Sequence, residues 1–134
     1  MNTVQKTILD FEKAVQHLEE ALQRESRDEL IHAGCIQYFE FTFELSWKLM
    51  KLIGLEEGLM NLETPFDCIR AAFRKQWIQE EKLWLDMLNA RNKMTHTYSS
   101  EKAEDIYLHL RDFLTVLKTF LGDITYYLSQ RDRP

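Results

Sequence analysis

The sequence contains few residues that interrupt regular structure: four glycines and two prolines among 134 residues. An all-β protein needs a turn signal about every 8–12 residues, so this scarcity argues against an all-β fold. The only two cysteines, Cys35 and Cys68, do not make a disulfide framework. Both lie in apolar helical segments, where a free cysteine behaves as a small buried hydrophobic residue. We therefore expect two structural thiols.

Long hydrophobic runs are also lacking. The N-terminal segment has no apolar core of the kind found in a secretory signal. The longest apolar zone, Tyr38 to Leu55, is interrupted by charged residues and falls short of the roughly 18 apolar residues that a membrane span needs. These charged residues are Glu40, Glu44, Lys48 and Lys51. We expect a cytoplasmic protein that does not contact a membrane.

Several kinds of functional site have no counterpart in the sequence. There is no Gly-rich phosphate loop, no Cys-x-x-Cys and no His-Glu-x-x-His, and the nucleophile elbow of α/β-hydrolases is absent. The four histidines are scattered, and no two have the helical spacing of metal ligands: His17, His32, His96 and His109. We therefore expect neither a metal nor a cofactor. The net charge of −5 argues against a protein that coats nucleic acid through bulk charge, but it leaves room for a small basic site.

Hydrophobic periodicity predicts five helices and no strand. The first helix runs from about Thr3 to Arg24. The second follows a cap at Ser26 or Asp28 and runs to about Ile53, and Gly54 and Gly58 mark its end.

The three remaining helices are shorter or begin after a clear start signal. The third helix follows Thr64-Pro65 and turns Ile69, Ala72 and Phe73 inward. The fourth helix starts near Gln79 and ends between Asn92 and Tyr98. The fifth follows a cap at Ser99 or Ser100, and its apolar stripe is Ile106, Leu110, Phe113, Leu117, Phe120, Ile124 and Tyr127. Residues 1–134 are thus expected to form a single all-α domain, an antiparallel helical bundle.

The second helix is apolar on more than one face. A helix of this kind lies at the centre of a bundle or is shared with a partner. Because one bundle would not cover all of this surface, we expect a homodimer.

One polar segment, Arg91 to Tyr98, lies at the predicted end of the fourth helix. It carries a guanidinium, an amide, an ammonium, an imidazole and a phenol within eight residues. Arg91 and His96 are five residues apart, so a straight helix would separate them by about 140°. They converge only if the helix bends or ends, or if a second subunit contributes its own copy. The alternative is that these side chains merely complement the dipole at a helix C-terminus.

Basic charge is concentrated around this segment. Between Arg70 and Lys102 there are seven basic and four acidic residues, a net charge of +3, which leaves −8 for the rest of the chain. A local positive field can attract phosphate although the whole molecule is acidic. Three basic residues of this window are candidate contacts for phosphate or RNA: Lys93, Lys102 and Arg74.

The segment has the form R-x4-H-x-Y and resembles the signature of HEPN-domain proteins of the HepT type, also called nucleotidyltransferase substrate-binding proteins. The resemblance extends over nearly the whole chain. The aromatic run Phe39–Lys48 is similar to that family's second helix, and Trp84–Leu88 leading into Arg91-Asn92 is similar to its fourth. It implies a HEPN-like bundle whose homodimer brings two R-x4-H motifs together at the interface.

Many HEPN proteins are metal-independent ribonucleases, and the resemblance implies catalytic roles for three residues. His96 would act as general base or acid at the ribose 2′-hydroxyl, because an imidazole near neutral pKa suits proton transfer. Arg91 would stabilise charge on the phosphate, and Asn92 would help to position it. The ligand would be RNA or a nucleotide.

The resemblance also implies a partner, a small nucleotidyltransferase of the MNT type that acts as antitoxin. In such pairs it transfers AMP to the tyrosine of the motif, here Tyr98. This chain lacks the Gly-Ser and Asp-x-Asp elements of that enzyme, so the transferase must be a separate chain. Three hypotheses remain: a toxin that is an endoribonuclease, a non-catalytic subunit that binds nucleotide or substrate for the transferase, and a helical interaction module.

Overall fold

The computed structural model describes residues 1–24, 26–96 and 99–133, and this part of the chain contains helices and no strand. The helices are α1 (Thr3–Leu22), α2 (Glu29–Glu56), α3 (Pro65–Arg74), α4 (Glu81–His96) and α5 (Ser100–Arg131). The prediction of an all-α bundle is confirmed. None of the described helices is long and apolar enough to cross a membrane.

Helix α2 lies at the centre of the bundle and packs against α1, α3 and α5, while α4 packs against α3 and α5. The thiol of Cys35 in α2 lies 3.7 Å from the carbonyl oxygen of Ala21 at the end of α1. Earlier in α1, the ring of His17 lies 5.9 Å from that of Tyr38, later in α2, so these two helices are antiparallel. Phe39 of α2 stacks on Phe113 of α5, with ring centroids 5.3 Å apart. The starts of α2 and α5 also contact each other, so the points of contact advance in the same direction along both helices, which therefore run parallel.

Short-range signals set most helix starts. Asp28 caps α2 and Thr64 caps α3, each accepting a hydrogen bond from a backbone N–H of the first turn. Ser99 caps α5 in the same way. A side-chain oxygen at this position satisfies one of the N–H groups that a helix start leaves without a partner. The expected caps are therefore confirmed. Of the two candidates for each helix, the residue that caps α2 is Asp28 and the residue that caps α5 is Ser99.

Two expectations about local structure are wrong. Helix α2 does not end at Ile53 but continues through Gly54, which is buried. A Cβ atom at Gly54 would lie 2.6 Å from Cδ1 of Leu62, so this glycine permits close packing and does not end the helix. The backbone becomes left-handed only after the helix, at Gly58 with a φ of 80° and again at Asn61 with a φ of 63°. Phe73, expected to point inward, is 41% exposed because the short helix α3 buries only a narrow face.

A buried histidine joins the starts of α2 and α5. His32 Nδ1 lies 2.7 Å from the Glu104 carboxylate, and His32 Nε2 lies 2.6 Å from the carbonyl oxygen of Ser26. The ring also stacks on Tyr107 at 3.7 Å. Burial lowers the pKa of His32, but the hydrogen bonds to Glu104 and Ser26 outweigh it and raise the pKa above its ordinary value. This contact anchors the start of α5, the helix that follows the R-x4-H-x-Y segment.

Candidate functional site

The guanidinium of Arg91 in α4 is held by a carboxylate of α2. Arg91 Nε donates to Glu44 Oε1 at 2.8 Å, and Arg91 Nη2 lies 2.8 Å from the same oxygen. Each of the two side chains is 29% exposed. A partly exposed ion pair adds little to stability, so its main consequence here is to fix the orientation of the planar guanidinium.

Asn92 holds the same guanidinium from its own helix. Arg91 Nη1 donates to Asn92 Oδ1 at 3.0 Å. The structure therefore brings together two of the three residues with expected catalytic roles. Glu44 and Asn92 contact different nitrogen atoms of Arg91, and together they define the plane of its guanidinium.

Glu44 and Glu40 are site residues that the sequence argument missed. Glu44 Oε2 accepts a hydrogen bond from Trp47 Nε1 at 3.0 Å, so its other oxygen is held as well. Burial raises the pKa of Glu40; Arg91 opposes this shift and the nearby Glu44 adds to it. In the sequence these two carboxylates only interrupt an apolar zone. The available signal was their spacing of four residues, which places them on one face of a mostly apolar helix.

The three candidate phosphate contacts do not form one patch. Arg74 is exposed in the last turn of α3. One turn before it, Arg70 Nε lies 3.4 Å from Glu81, the first residue of α4, so this part of α3 lies beside the start of α4. Arg91 lies ten residues further along α4, which corresponds to about 15 Å of helix. Lys102 is exposed in the first turn of α5, where its backbone N–H donates to Ser99 Oγ. Arg74 therefore lies near the opposite end of α4 from the motif.

Lys93 is exposed and lines a groove between α4 and α5. The polar residues on the opposite wall of this groove are Asp105, His109 and Asp112. The groove is therefore mixed in charge. Within the described part of the chain, no group of three His, Cys, Asp or Glu side chains is arranged to hold a metal ion.

The remaining two motif residues fall outside what the structure describes. Helix α4 ends at His96, within the predicted range. The side chain of His96 and the whole of Tyr98 lie outside the described residues. Their roles remain predictions.

A family model matches most of the sequence. The model described as "Nucleotidyltransferase substrate binding protein like" matches residues 6–125. The chain belongs to this family. Because the match includes Glu44, Arg91 and Asn92, the contacts of the site lie within the family domain.

Two related proteins support this assignment. The chain is 39% identical over 93 residues to a Haemophilus influenzae protein named "Probable ribonuclease HepT". The alignment covers 66% of this chain and spans 62% of the length of that relative. A crystal structure of a protein from Thermus thermophilus matches with a TM-score of 0.76 and 31% identity, covering 84% of this chain and 96% of that one.

Proposed function

We propose that this protein is the HepT-type, HEPN-like component of a two-gene toxin–antitoxin pair and that it is a metal-independent endoribonuclease. The observation that carries the proposal is the Arg91 guanidinium held between Glu44 and Asn92. Membership of the family and the name of the Haemophilus influenzae relative support it. A guanidinium with a fixed plane suits the spread negative charge of a phosphate in its transition state.

The proposed reaction is an intramolecular transfer at phosphorus. His96 takes the proton of the ribose 2′-hydroxyl as this oxygen attacks the adjacent phosphorus. The bond from phosphorus to the 5′ oxygen breaks, and that oxygen takes up a proton. The products are a 2′,3′-cyclic phosphate and a 5′-hydroxyl end. Arg91 stabilises the charge on the non-bridging oxygens, and Asn92 helps to position the phosphate.

A homodimer is part of this proposal, because it would place two copies of the motif side by side. Helix α2 supports it with large apolar side chains that the single chain leaves uncovered. These are Leu30 (79% exposed), Tyr38 (40%) and Phe41 (53%). Exposed apolar groups on the same side of one helix are typical of an interaction surface. A monomer in light scattering at micromolar concentration would contradict the dimer.

Cleavage of single-stranded RNA tests the function. We expect the purified protein to cleave labelled RNA in the presence of a chelator, and His96→Ala to lower the rate by about 10²–10⁴-fold, because it removes the general base. The matched control is His17→Ala, an exposed histidine of α1, which should cleave at the wild-type rate. Intact RNA after incubation with the wild-type dimer, or equal rates for His96→Ala and wild type, would refute the ribonuclease.

The alternative is a non-catalytic subunit that binds nucleotide or substrate for a nucleotidyltransferase. The description of the family favours it, as does the net charge of −5, which weakens general binding to RNA. It predicts that Arg91 and Tyr98 are needed for ligand or partner binding while RNA stays intact. The cleavage assay therefore separates the two functions.

Tyr98 is the proposed acceptor of AMP from a separate, MNT-type nucleotidyltransferase. The phenol oxygen would attack the α-phosphorus of ATP, forming a phosphodiester and releasing pyrophosphate. A bulky anion two residues from His96 would block the site and repel RNA phosphate. Toxin activity would then be suppressed by modification.

Co-expression with the cognate nucleotidyltransferase should raise the intact mass by one or more AMP units and abolish RNA cleavage. Tyr98→Phe should keep the unmodified mass. Tyr126→Phe is the control, because Tyr126 is also highly exposed, at 67%, but lies far along α5. An unchanged mass of the wild-type protein beside an active transferase would rule out this modification.

A further inference from the structure

We propose that Glu44 is the positioning residue of Arg91: α2 fixes the guanidinium through this carboxylate before RNA binds. The role in catalysis rests on the proposed ribonuclease function, whereas the ordering of Arg91 does not. Glu44 is 47 residues from Arg91 in sequence and belongs to a different helix. The orientation of the guanidinium is therefore a property of the α2–α4 contact.

The contact restricts the long side chain that carries the charge. Arginine has a flexible stem, but its planar fork is well defined once it is anchored. Glu44 Oε1 accepts from Nε and lies 2.8 Å from Nη2, which fixes one edge of the guanidinium, while Nη1 donates to Asn92. A group that is already ordered in the free protein need not lose this freedom when the transition state forms. Productive orientation of reacting groups is a large part of enzymatic rate enhancement.

Glu44 is itself held in place. Its second oxygen accepts from Trp47 Nε1, and Trp47 packs partly buried against the core. The preceding residue, Phe43, is fully buried and lies against Trp84 of α4, with ring centroids 6.3 Å apart. The Phe43–Trp84 contact thus joins α2 to α4 two helical turns before Arg91.

A carboxylate beside a phosphate-binding arginine could instead inhibit it. In that case Glu44 would compete with RNA phosphate, and its removal would increase cleavage. The geometry argues for positioning, since Nε and Nη2 both lie 2.8 Å from a single oxygen of Glu44, and the other oxygen of Glu44 accepts from Trp47. The two alternatives predict opposite changes in rate.

Single-turnover cleavage of RNA by Glu44→Ala, Glu44→Gln and wild type measures the effect. We expect Glu44→Ala to lower the maximal single-turnover rate constant by up to about 10²-fold, with little change in the protein concentration that gives half of this rate, as for a misplaced catalytic group. Glu44→Gln should recover part of the rate because its amide oxygen can still accept from Arg91. In an Arg91→Ala background, Glu44→Ala should have no further effect. Faster cleavage by Glu44→Ala, or independent effects of the two substitutions, would overturn the proposal.

The Arg91 side chain provides a readout that does not depend on activity. In ¹⁵N NMR spectra, the Nε–H signal of Arg91 should be ordered and slow to exchange in the wild type and lose both properties in Glu44→Ala. Glu101→Ala, an exposed glutamate in the first turn of α5, should leave this signal unchanged. Equal exchange of the signal in wild type and Glu44→Ala would refute positioning, whatever the protein does to RNA. If the Arg91 signal is ordered but the protein leaves RNA intact, the ribonuclease function is refuted. The ordering of Arg91 by Glu44 is then still supported.

Discussion

Arg91→Ala should lower the rate of RNA cleavage by about 10²–10³-fold, the loss found when one donor that stabilises transition-state charge is removed. The reason is that Arg91 supplies a positive charge whose orientation is fixed by Glu44 and Asn92. Arg91→Lys should recover only part of the rate, because an ammonium keeps the charge but lacks the planar fork. Single-turnover cleavage of labelled RNA measures both variants.

The fold should survive this substitution, since the Arg91–Glu44 pair is partly exposed and such pairs contribute about 0–1 kcal/mol. The matched control is Arg133→Ala. Arg133 is exposed beyond the end of α5, a helix of 32 residues that starts near the motif and is about 48 Å long. Arg133→Ala should cleave RNA at the wild-type rate. Wild-type cleavage by Arg91→Ala would remove this residue from the mechanism.

Trp84→Ala should lower the free energy of unfolding by about 3–5 kcal/mol, as expected when a large buried aromatic side chain is removed. Trp84 is 1% exposed and lies between two aromatic rings of other helices. Its ring centroid is 6.3 Å from that of Phe43 in α2 and 5.3 Å from that of Phe120 in α5, the latter pair meeting edge to face. The substitution would leave a cavity where α2, α4 and α5 meet.

Urea denaturation followed by circular dichroism measures this loss without relying on tryptophan fluorescence. Leu108→Ala is the control, because Leu108 is 75% exposed on α5; we expect a change within about 0.5 kcal/mol. A loss below about 1 kcal/mol for Trp84→Ala would show that the site can collapse around the smaller side chain.

Helix positions were largely predictable because their signals are local. In α5, six of the seven residues of the expected stripe are buried, from Ile106 to Ile124, and only Tyr127 is partly exposed. The spacing of apolar residues defines a face whatever the helix packs against. Phe73 was misjudged because three apolar residues in a short helix do not all reach the core. Gly54 was misjudged because its role depends on Leu62 in the following loop.

The site was predictable only in part, because sequence signals are local and some of its contacts join residues that are far apart in the chain. The motif itself indicated Arg91 and Asn92, which are adjacent in sequence and bonded in the structure. Nothing local could identify Glu44 as the partner of Arg91, because the two residues meet only when α2 packs near α4. The pairing of His32 with Glu104, 72 residues apart, was hidden in the same way.

The low content of glycine and proline and the apolar spacing were sufficient to determine an all-α chain and the approximate limits of its helices. The fold class and the helix limits depend on backbone propensity and on amphipathic faces, which are properties of residues that are neighbours in the sequence. Only the tertiary structure decided which carboxylate holds Arg91, which basic residues lie far from it, and that α2 and α5 run parallel. These features arise from the way whole helices bury their apolar faces against one another. The packing of the helices therefore determines which distant residues come into contact.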